Sequence, residues 1–344
     1  MSKKYNLNDF IPILHEWIES FRINQQPGNF SVVRGKPKPS LYGPCDMVFN
    51  LKITDQFERY MENHSYEDKE GWIRRIQSYQ RPQSGWFKEG LFNYGFHFKE
   101  HSSAFAVAAL DLLGAKPLYP FKVAEKLNTQ QKVERWLKRK PEWGLLYWSG
   151  SHRGGGIGAI FATLGPDYYP HENFFKWYFE WLDKKADPEV GFWRMGWIHR
   201  FQKDRLTKHE LGGAVHYYWI YEYFDHPFPY PERAIDSTLI LQNEKGTWHK
   251  DFSYCIDLDA IFFLTRCCKQ TQGYRKEDIR QSLLKYLGYV MEKLQDKEFL
   301  FETYTSAHKL TGYLCAIAEI YKFMPEVFET DTPWVQTLDL APWI

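Results

Sequence analysis

Residues 101–110 read His101-Ser102-Ser103-Ala104-Phe105-Ala106-Val107-Ala108-Ala109-Leu110. An ionisable residue is followed here by an unbroken run of small and apolar residues, which is typical of a helix that is buried on several sides. Similar runs follow five other ionisable residues, and the intervals between successive leading residues are 55, 51, 57, 48 and 51 positions. In chain order, the six leading residues are Asp46, His101, His152, His209, Asp257 and His308.

A period of about fifty residues indicates a repeat architecture. Between the buried runs lie segments of mixed polarity, and in one of them Trp72, Ile73, Ile76 and Tyr79 follow helical spacing. Each repeat is therefore predicted to form a helical hairpin, with its amphipathic helix in an outer layer and its buried helix in an inner layer. The predicted outer helices are 7–23, 68–80, 128–140, 171–185, 232–243 and 275–295.

A glycine beside an aromatic residue marks the turn inside several hairpins. Glycine supplies backbone freedom at such a turn, and the aromatic ring can plug against the next repeat. The turns are Gly85-Trp86, Trp143-Gly144, Gly191-Phe192-Trp193 and Gly246-Thr247-Trp248. We expect Trp86, Trp193 and Trp248 to be buried between repeats or to lie at a cavity rim, where they would contact a substrate.

Six such hairpins predict an all-α fold that closes into an (α/α)6 toroid, because an open solenoid would need polar caps on its end repeats. No linker divides the chain, so we expect one domain over residues 1–344, with 325–344 as an irregular strap on the surface. In a closed array the leading residues face one common point. Six side chains are therefore expected at one end of the inner barrel, namely those of Asp46, His101, His152, His209, His308 and one of Asp257 and Asp259.

Charge and composition exclude several classes of partner. The net charge is +1, with 44 basic and 43 acidic residues, so no basic field for nucleic acid is expected. No apolar run is long enough for a membrane span, and the first residues lack the apolar core of a signal peptide. Five cysteines without a CxxC pair fit the reducing cytoplasm, where we expect the protein to reside.

Two carboxylates, Asp257 and Asp259, stand two residues apart near a predicted helix start. The helix N-terminus favours their ionised forms, and crowding raises the pKa of one of them, so that an acid and a base can coexist. We expect Asp259 first, and then Asp257, to hold the catalytic acid or base, with His308 and His209 orienting or sharing the proton. Simple capping of the helix is the competing interpretation.

The remaining leading residues, Asp46, His101 and His152, predict a polar site that binds the substrate. We expect His216 to join them, since it lies seven residues after His209 on the same helical face. Arg153 precedes three glycines and could clamp a carboxylate, although those glycines also suit close helix packing. No cofactor is expected. A divalent metal is the alternative, since three histidines from adjacent repeats suit it, provided that helices around a toroid bring them close enough to share one ion.

Two stretches resemble known toroid families. Residues 242–248, with Gln242, Gly246 and Trp248, have the Q-x-x-x-G-x-W form of terpenoid cyclases, and residues 76–87 are similar to the repeat of protein prenyltransferase β subunits. The resemblance implies an α/α toroid. Acid-initiated cyclases carry Asp-x-Asp-Asp, whereas this chain has Asp257-Leu258-Asp259-Ala260.

The prenyltransferase resemblance also implies a ligand set. That family holds zinc with Asp-x-Cys and a later histidine, and the corresponding residues here are Asp257, Asp259 and His308, with Asp259 in place of the cysteine.

A polar ring beside flat aromatic rings suits carbohydrate, whose faces are apolar and whose rims carry hydroxyl groups. The sequence therefore favours an intracellular enzyme that acts on a sugar or a uronic-acid-containing glycan, as a hydrolase, lyase or epimerase. The substrate is expected to be a small molecule or an oligosaccharide. An isoprenoid cyclase or a related prenyl-chemistry enzyme is the alternative, and a non-catalytic toroid that binds a glycan or a protein is the third.

Overall fold

A computed structural model describes residues 4–138, 147–194 and 207–343. Two short strands, β1 (Tyr5–Asn6) and β2 (Phe328–Glu329), pair in parallel. Fourteen α-helices account for most of the described residues, which confirms the all-α prediction. They are α1 (Phe10–Glu19), α2 (Tyr42–Ile53), α3 (Phe57–Asn63), α4 (Lys69–Gln77), α5 (Lys99–Leu112), α6 (Gln130–Leu137), α7 (Tyr147–Leu164), α8 (Phe174–Lys185), α9 (Lys208–Tyr223), α10 (Pro231–Ile240), α11 (Cys255–Gln270), α12 (Lys276–Gln295), α13 (Lys297–Thr303) and α14 (Ala307–Phe323).

Amphipathic and buried helices alternate as the repeat predicts. The amphipathic segments form α1, α4, α6, α8, α10 and α12, each with a buried stripe and an outer polar face. The runs after the leading residues form α2, α5, α7, α9, α11 and α14. In α2, every residue except Lys52 is buried, because its small and apolar residues cover all sides of the helix.

The chain divides into two compact units. The first consists of Met1–Ser78, Gln242–Thr265 and Arg275–Thr337. The second consists of Tyr79–Leu241, Arg266–Tyr274 and Leu338–Ile344. The single domain over residues 1–344 stays a prediction.

In the first compact unit, α2 packs against α14, and α1 packs against α12. The buried helix of the first sequence repeat is therefore a neighbour of the buried helix of the last. Trp334, from the irregular C-terminal segment, is buried with its ring 6.0 Å from that of Phe10. This aromatic contact attaches part of the predicted strap to α1.

In the second compact unit, α7 lies between α5 and α9, and α6 packs against α8. Glycines of α7 allow this approach, since a Cβ on Gly155 would lie 3.0 Å from the His216 carbonyl oxygen and one on Gly156 would lie 2.8 Å from the Glu100 backbone. The structure thus supports close helix packing as the role of the three glycines after Arg153.

The glycine turns share one geometry. Gly85, Gly191 and Gly246 have φ values of 79°, 82° and 96°, in the left-handed region that favours glycine. A Cβ at these positions would lie 2.3 Å, 2.5 Å and 2.7 Å from backbone atoms of the following repeat. Both the dihedral angle and the close approach therefore require glycine, as the sequence predicts. The turn at Trp143-Gly144 lies outside the described residues.

Side chains beside these turns complete the contact between repeats. The amide of Gln80 donates to the carbonyl oxygens of Gly85 and Tyr119, and the amide of Gln242 donates in the same way to those of Gly246 and Ser282. Trp193 and Trp248 are fully buried and Trp86 is 8% exposed, which confirms that the turn aromatics are buried.

None of the helices in the described part of the chain combines the length and hydropathy that a membrane span needs. The five cysteines, all of them described, form no disulfide.

Candidate functional site

A buried carboxylate and a histidine form a pair in the first compact unit, where α2 meets α14. Asp46 Oδ1 lies 3.2 Å from His308 Nδ1 and accepts a hydrogen bond of 2.8 Å from the Thr311 hydroxyl. Asp46 is fully buried, whereas the His308 side chain is 13% exposed. The carboxylate thus fixes one ring nitrogen of His308 and sets the orientation of the imidazole.

Opposing effects act on the ionisation of Asp46. Burial raises the pKa of this carboxyl above its usual value, and the opposing effects of His308 and of the hydrogen bond from Thr311 offset this rise only in part. The ring of Tyr42 stands edge-on to His308 at 5.1 Å and restricts its orientation. An imidazole that is oriented by a buried carboxylate has the geometry of a general acid or base.

Asp257 binds backbone groups around the start of α11. Its Oδ1 accepts the backbone N–H groups of Trp248 at 2.6 Å and His249 at 3.1 Å, and its Oδ2 accepts that of Tyr254 at 2.9 Å. The carboxylate therefore ties the glycine–tryptophan turn to the start of α11. This is the capping interpretation, extended to the preceding turn.

Asp259 is fully buried, and neither of its carboxyl oxygens has a hydrogen-bond partner among the described residues. Burial, and then the charge of Asp257, raise the pKa of Asp259 well above its usual range. The zinc ligand set that the prenyltransferase resemblance implies does not fit this arrangement, because Asp257 binds its own backbone and burial favours the neutral form of Asp259.

Replacing Asp259 by Asn is expected to stabilise the protein near pH 7. A carboxyl whose pKa is higher in the folded state gives stability that is present below its unfolded value, about 4, and is lost as the pH rises. Asparagine has the same size and no proton to lose. The free energy of unfolding in urea should therefore exceed that of the wild type at about pH 7, and the difference should shrink towards about pH 4.

Asp257→Asn is the matched control, two residues away on the same helix. It keeps the size but removes an acceptor and the charge that three backbone N–H groups bind, so it should destabilise the fold by about 2–3 kcal/mol. If Asp259→Asn lowered the free energy of unfolding near pH 7 as Asp257→Asn does, the assignment of a neutral Asp259 would be contradicted.

Four histidine rings meet in the second compact unit. Adjacent helices α5, α7 and α9 contribute His101, His152 and His216, and His97 precedes α5. Ring centroids lie 4.1 Å apart for His97 and His101, 4.4 Å for His101 and His152, and 5.3 Å for both His97–His152 and His152–His216. His97 was not among the predicted site residues, although its spacing of four residues from His101 was a visible signal.

A serine fixes the protonation of His216. The Ser151 hydroxyl donates to the Trp148 carbonyl oxygen at 2.6 Å and lies 2.7 Å from His216 Nδ1. The single proton of this hydroxyl is already donated to Trp148, so the hydroxyl oxygen must accept from His216. Nδ1 of His216 therefore has the ring proton, and Nε2 has the lone pair. Burial lowers the pKa of His216 to about 3, so the ring is neutral. Ser151 is thus an acceptor from the imidazole and not an activated nucleophile.

An aromatic and cationic pocket of about 400 Å³ lies in the same unit. The Lys99 ammonium stands 5.3 Å from the ring centroid of Trp86, and the Arg153 guanidinium stands 5.1 Å from that of Trp136. Two further cations and one acidic side chain line the pocket, namely Lys122, Lys126 and Glu125. The structure therefore brings the predicted binding residues Trp86 and Arg153 into one cavity with excess positive charge.

Other predicted site residues are placed elsewhere. His209 is exposed at the second position of α9, where its ring lies 5.7 Å from that of Trp148. Trp193 and Trp248 are fully buried, and the Trp193 ring nitrogen donates to the Leu182 carbonyl oxygen at 2.8 Å. Contact of these two indoles with a substrate is not supported, because no face of either ring is accessible.

Comparison with known proteins found no matching family model, curated protein or solved structure. The resemblance to terpenoid cyclases and protein prenyltransferases therefore rests on the sequence motifs alone.

Proposed function

We propose that the protein is an enzyme that moves a proton on an acidic carbohydrate, with His308 as the general base and acid. The observation that carries this proposal is the hydrogen bond between buried Asp46 and His308 Nδ1, at 3.2 Å. It orients the imidazole and supports the positive charge that the ring acquires when Nε2 takes a proton.

A lyase or an epimerase is favoured over a hydrolase. Glycoside hydrolysis generally uses two carboxyl groups that flank the bond. Here Asp257 binds three backbone N–H groups, and burial favours the neutral form of Asp259. A single imidazole instead suits removal of the proton next to a uronate carboxylate. The electron pair enters the carboxylate-stabilised enolate. In the lyase reaction the enolate expels a β-oxygen substituent, which takes the proton from His308 Nε2; in the epimerase reaction a water molecule protonates it on the opposite face.

The pocket of the second compact unit supports an acidic sugar as the ligand class. Four cationic side chains complement a carboxylate, namely those of Lys99, Lys122, Lys126 and Arg153. The indole rings of Trp86 and Trp136 offer apolar surface for the C–H face of a sugar. Its volume of about 400 Å³ lies within the range of small-molecule sites and suits one or two sugar rings.

We also propose that the protein resides in the cytoplasm and that its six hairpins close into a toroid. The toroid is supported by the packing of α2 on α14 in the first unit and by the succession α5, α7, α9 in the second. The isoprenoid cyclase is the weaker candidate, since Asp257 of its acidic motif binds the backbone and the motif ends in Ala260.

A screen in deuterated water tests the reaction. Oligouronates, free uronic acids, neutral oligosaccharides and prenyl diphosphates are incubated with the protein and followed by NMR and ultraviolet absorbance. Deuterium at the carbon next to the carboxylate indicates epimerase activity, and an absorbing unsaturated uronate indicates lyase activity. Turnover of a prenyl diphosphate alone would establish the cyclase alternative, and binding of a glycan without turnover would leave the non-catalytic toroid.

Variants of the pocket test the ligand class. Arg153→Gln is expected to weaken binding of an acidic sugar about tenfold, because one charge-assisted contact is lost, and to leave binding of the neutral analogue unchanged. Trp136→Ala should weaken both, since stacking does not depend on charge. Calorimetric titration measures the two affinities.

Arg135→Gln is the matched control, because this exposed cation neighbours Trp136 on α6 and does not line the pocket. Equal losses in Arg135→Gln and Arg153→Gln would mean that general charge attraction, and not the pocket, binds the sugar.

A further inference from the structure

The histidine cluster of the second compact unit, defined as His97, His101, His152 and His216, has no role in the proton transfer proposed above. Three of its rings are buried, and all four are linked by centroid distances of 4.1–5.3 Å. Helices around a toroid were expected to hold the histidines of successive repeats far apart, whereas the ring of His152 contacts those of His101 and His216.

These separations are close to those of a metal site. With Zn–N bonds of about 2.1 Å, the ring centroids of two histidines on one tetrahedral ion are about 5 Å apart. His152 meets this distance with both His97 and His216, at 5.3 Å. The pairs His97–His101 and His101–His152, at 4.1 Å and 4.4 Å, lie about one ångström closer than this.

A second group of contacts prepares His216 as a ligand. Metal-bound histidines generally donate their other ring N–H to a fixed acceptor, which sets the tautomer and the ring orientation. Ser151 is such an acceptor at 2.7 Å, and its own proton is engaged by the Trp148 carbonyl at 2.6 Å. The lone pair of His216 is thereby placed on Nε2. Ser151 and His152 are neighbours on α7, so the same helix supplies a ligand and this positioning residue.

We propose that the histidine cluster binds one divalent transition-metal ion of the zinc type. An all-nitrogen set suits Zn²⁺, Co²⁺, Ni²⁺ or Cu²⁺, whereas Mg²⁺ and Ca²⁺ require oxygen ligands. The site differs from the ligand set implied by the prenyltransferase resemblance, which contains none of these four residues. The variants that test it change neither Asp46 nor His308, so its failure can be distinguished from a failure of the proposed function.

Metal titration of the full chain, prepared without a histidine tag and stripped with chelator, tests the proposal. Co²⁺ should bind with one ion per chain and give the intense visible absorption of a four-coordinate nitrogen site, and Zn²⁺ should displace it. Mg²⁺ and Ca²⁺ should have no effect. His101→Gln and His152→Gln should each lower the Zn²⁺ affinity at least 100-fold, and Ser151→Ala should lower it about 10–100-fold.

His171→Gln is the matched control, since this histidine of the same unit stacks on Trp177 outside the cluster. Because variants of buried histidines can fail to fold, wild-type protein with ¹⁵N-labelled histidine gives an independent readout. Zn²⁺ should shift the ring nitrogens of four of the 12 histidines. Absence of Co²⁺ and Zn²⁺ binding by the wild type, shifts that spare this cluster, or unchanged affinity in folded His101→Gln and His152→Gln would overturn the proposal.

Discussion

Truncation of Trp248 to Ala is expected to lower the free energy of unfolding by about 3–5 kcal/mol, the range for loss of a large buried aromatic side chain. The indole is fully buried, its ring centroid lies 6.4 Å from that of Tyr286, and its backbone N–H is bound by Asp257. Collapse around the cavity is restricted, because Gly246 already lies against the backbone of α12. Urea unfolding followed by circular dichroism measures the change.

Two further tryptophan variants separate packing from other effects. Trp193→Ala removes the equivalent ring of another repeat, which is also fully buried, and should cost a similar amount. Trp136→Ala removes a ring that is only partly buried and should cost less. A small effect of Trp248→Ala, with stability near that of the wild type, would exclude a structural role for the glycine–tryptophan turn.

The helices were predictable because their signals are local. The predicted segment 275–295 is α12 within one residue, and the segment 171–185 begins three residues before α8. A buried stripe every three to four residues, or an unbroken small and apolar run, is visible in one stretch of sequence. The glycine turns were predictable for a similar reason, since the tight backbone at Gly246 leaves few other choices of residue.

The pairing of side chains was less predictable, because it depends on segments far apart in sequence. Asp46 and His308 are separated by 262 residues, and no local pattern shows that their side chains meet. The periodicity placed Asp46 and His308 in one ring of six positions, but the catalytic role was assigned to Asp257 and Asp259 with His308. It could not show that backbone N–H groups of the preceding turn would occupy Asp257, or that Asp259 would be buried without a partner among the described residues.

His97 shows a further limit of periodicity. It lies outside the fifty-residue series, in the segment before α5, and its ring nevertheless contacts that of His101. A search for equivalent positions in repeats cannot find a residue that only one repeat contributes. Function is often carried by such departures from a repeat, because the repeat itself is selected for packing.

His308→Gln is expected to lower turnover of the acidic substrate by about 100-fold or more, the contribution of a positioned acid or base. Glutamine keeps hydrogen-bonding ability and similar size but cannot accept a proton from carbon. The loss should therefore appear in kcat, with KM little changed, if the interaction is made only in the transition state. Steady-state kinetics on the substrate that exchanges deuterium measures both constants.

His64→Gln, at a partly exposed histidine of the same compact unit, should leave kcat unchanged and is the control. Asp46→Asn tests the pair, since it removes the charge that holds Nδ1 and should also reduce kcat strongly. Because the two residues act as one unit, the double variant should lose little more than His308→Gln alone. Additive losses would mean that Asp46 acts independently of the ring. A kcat near that of the wild type in folded His308→Gln would place the proton transfer at another residue.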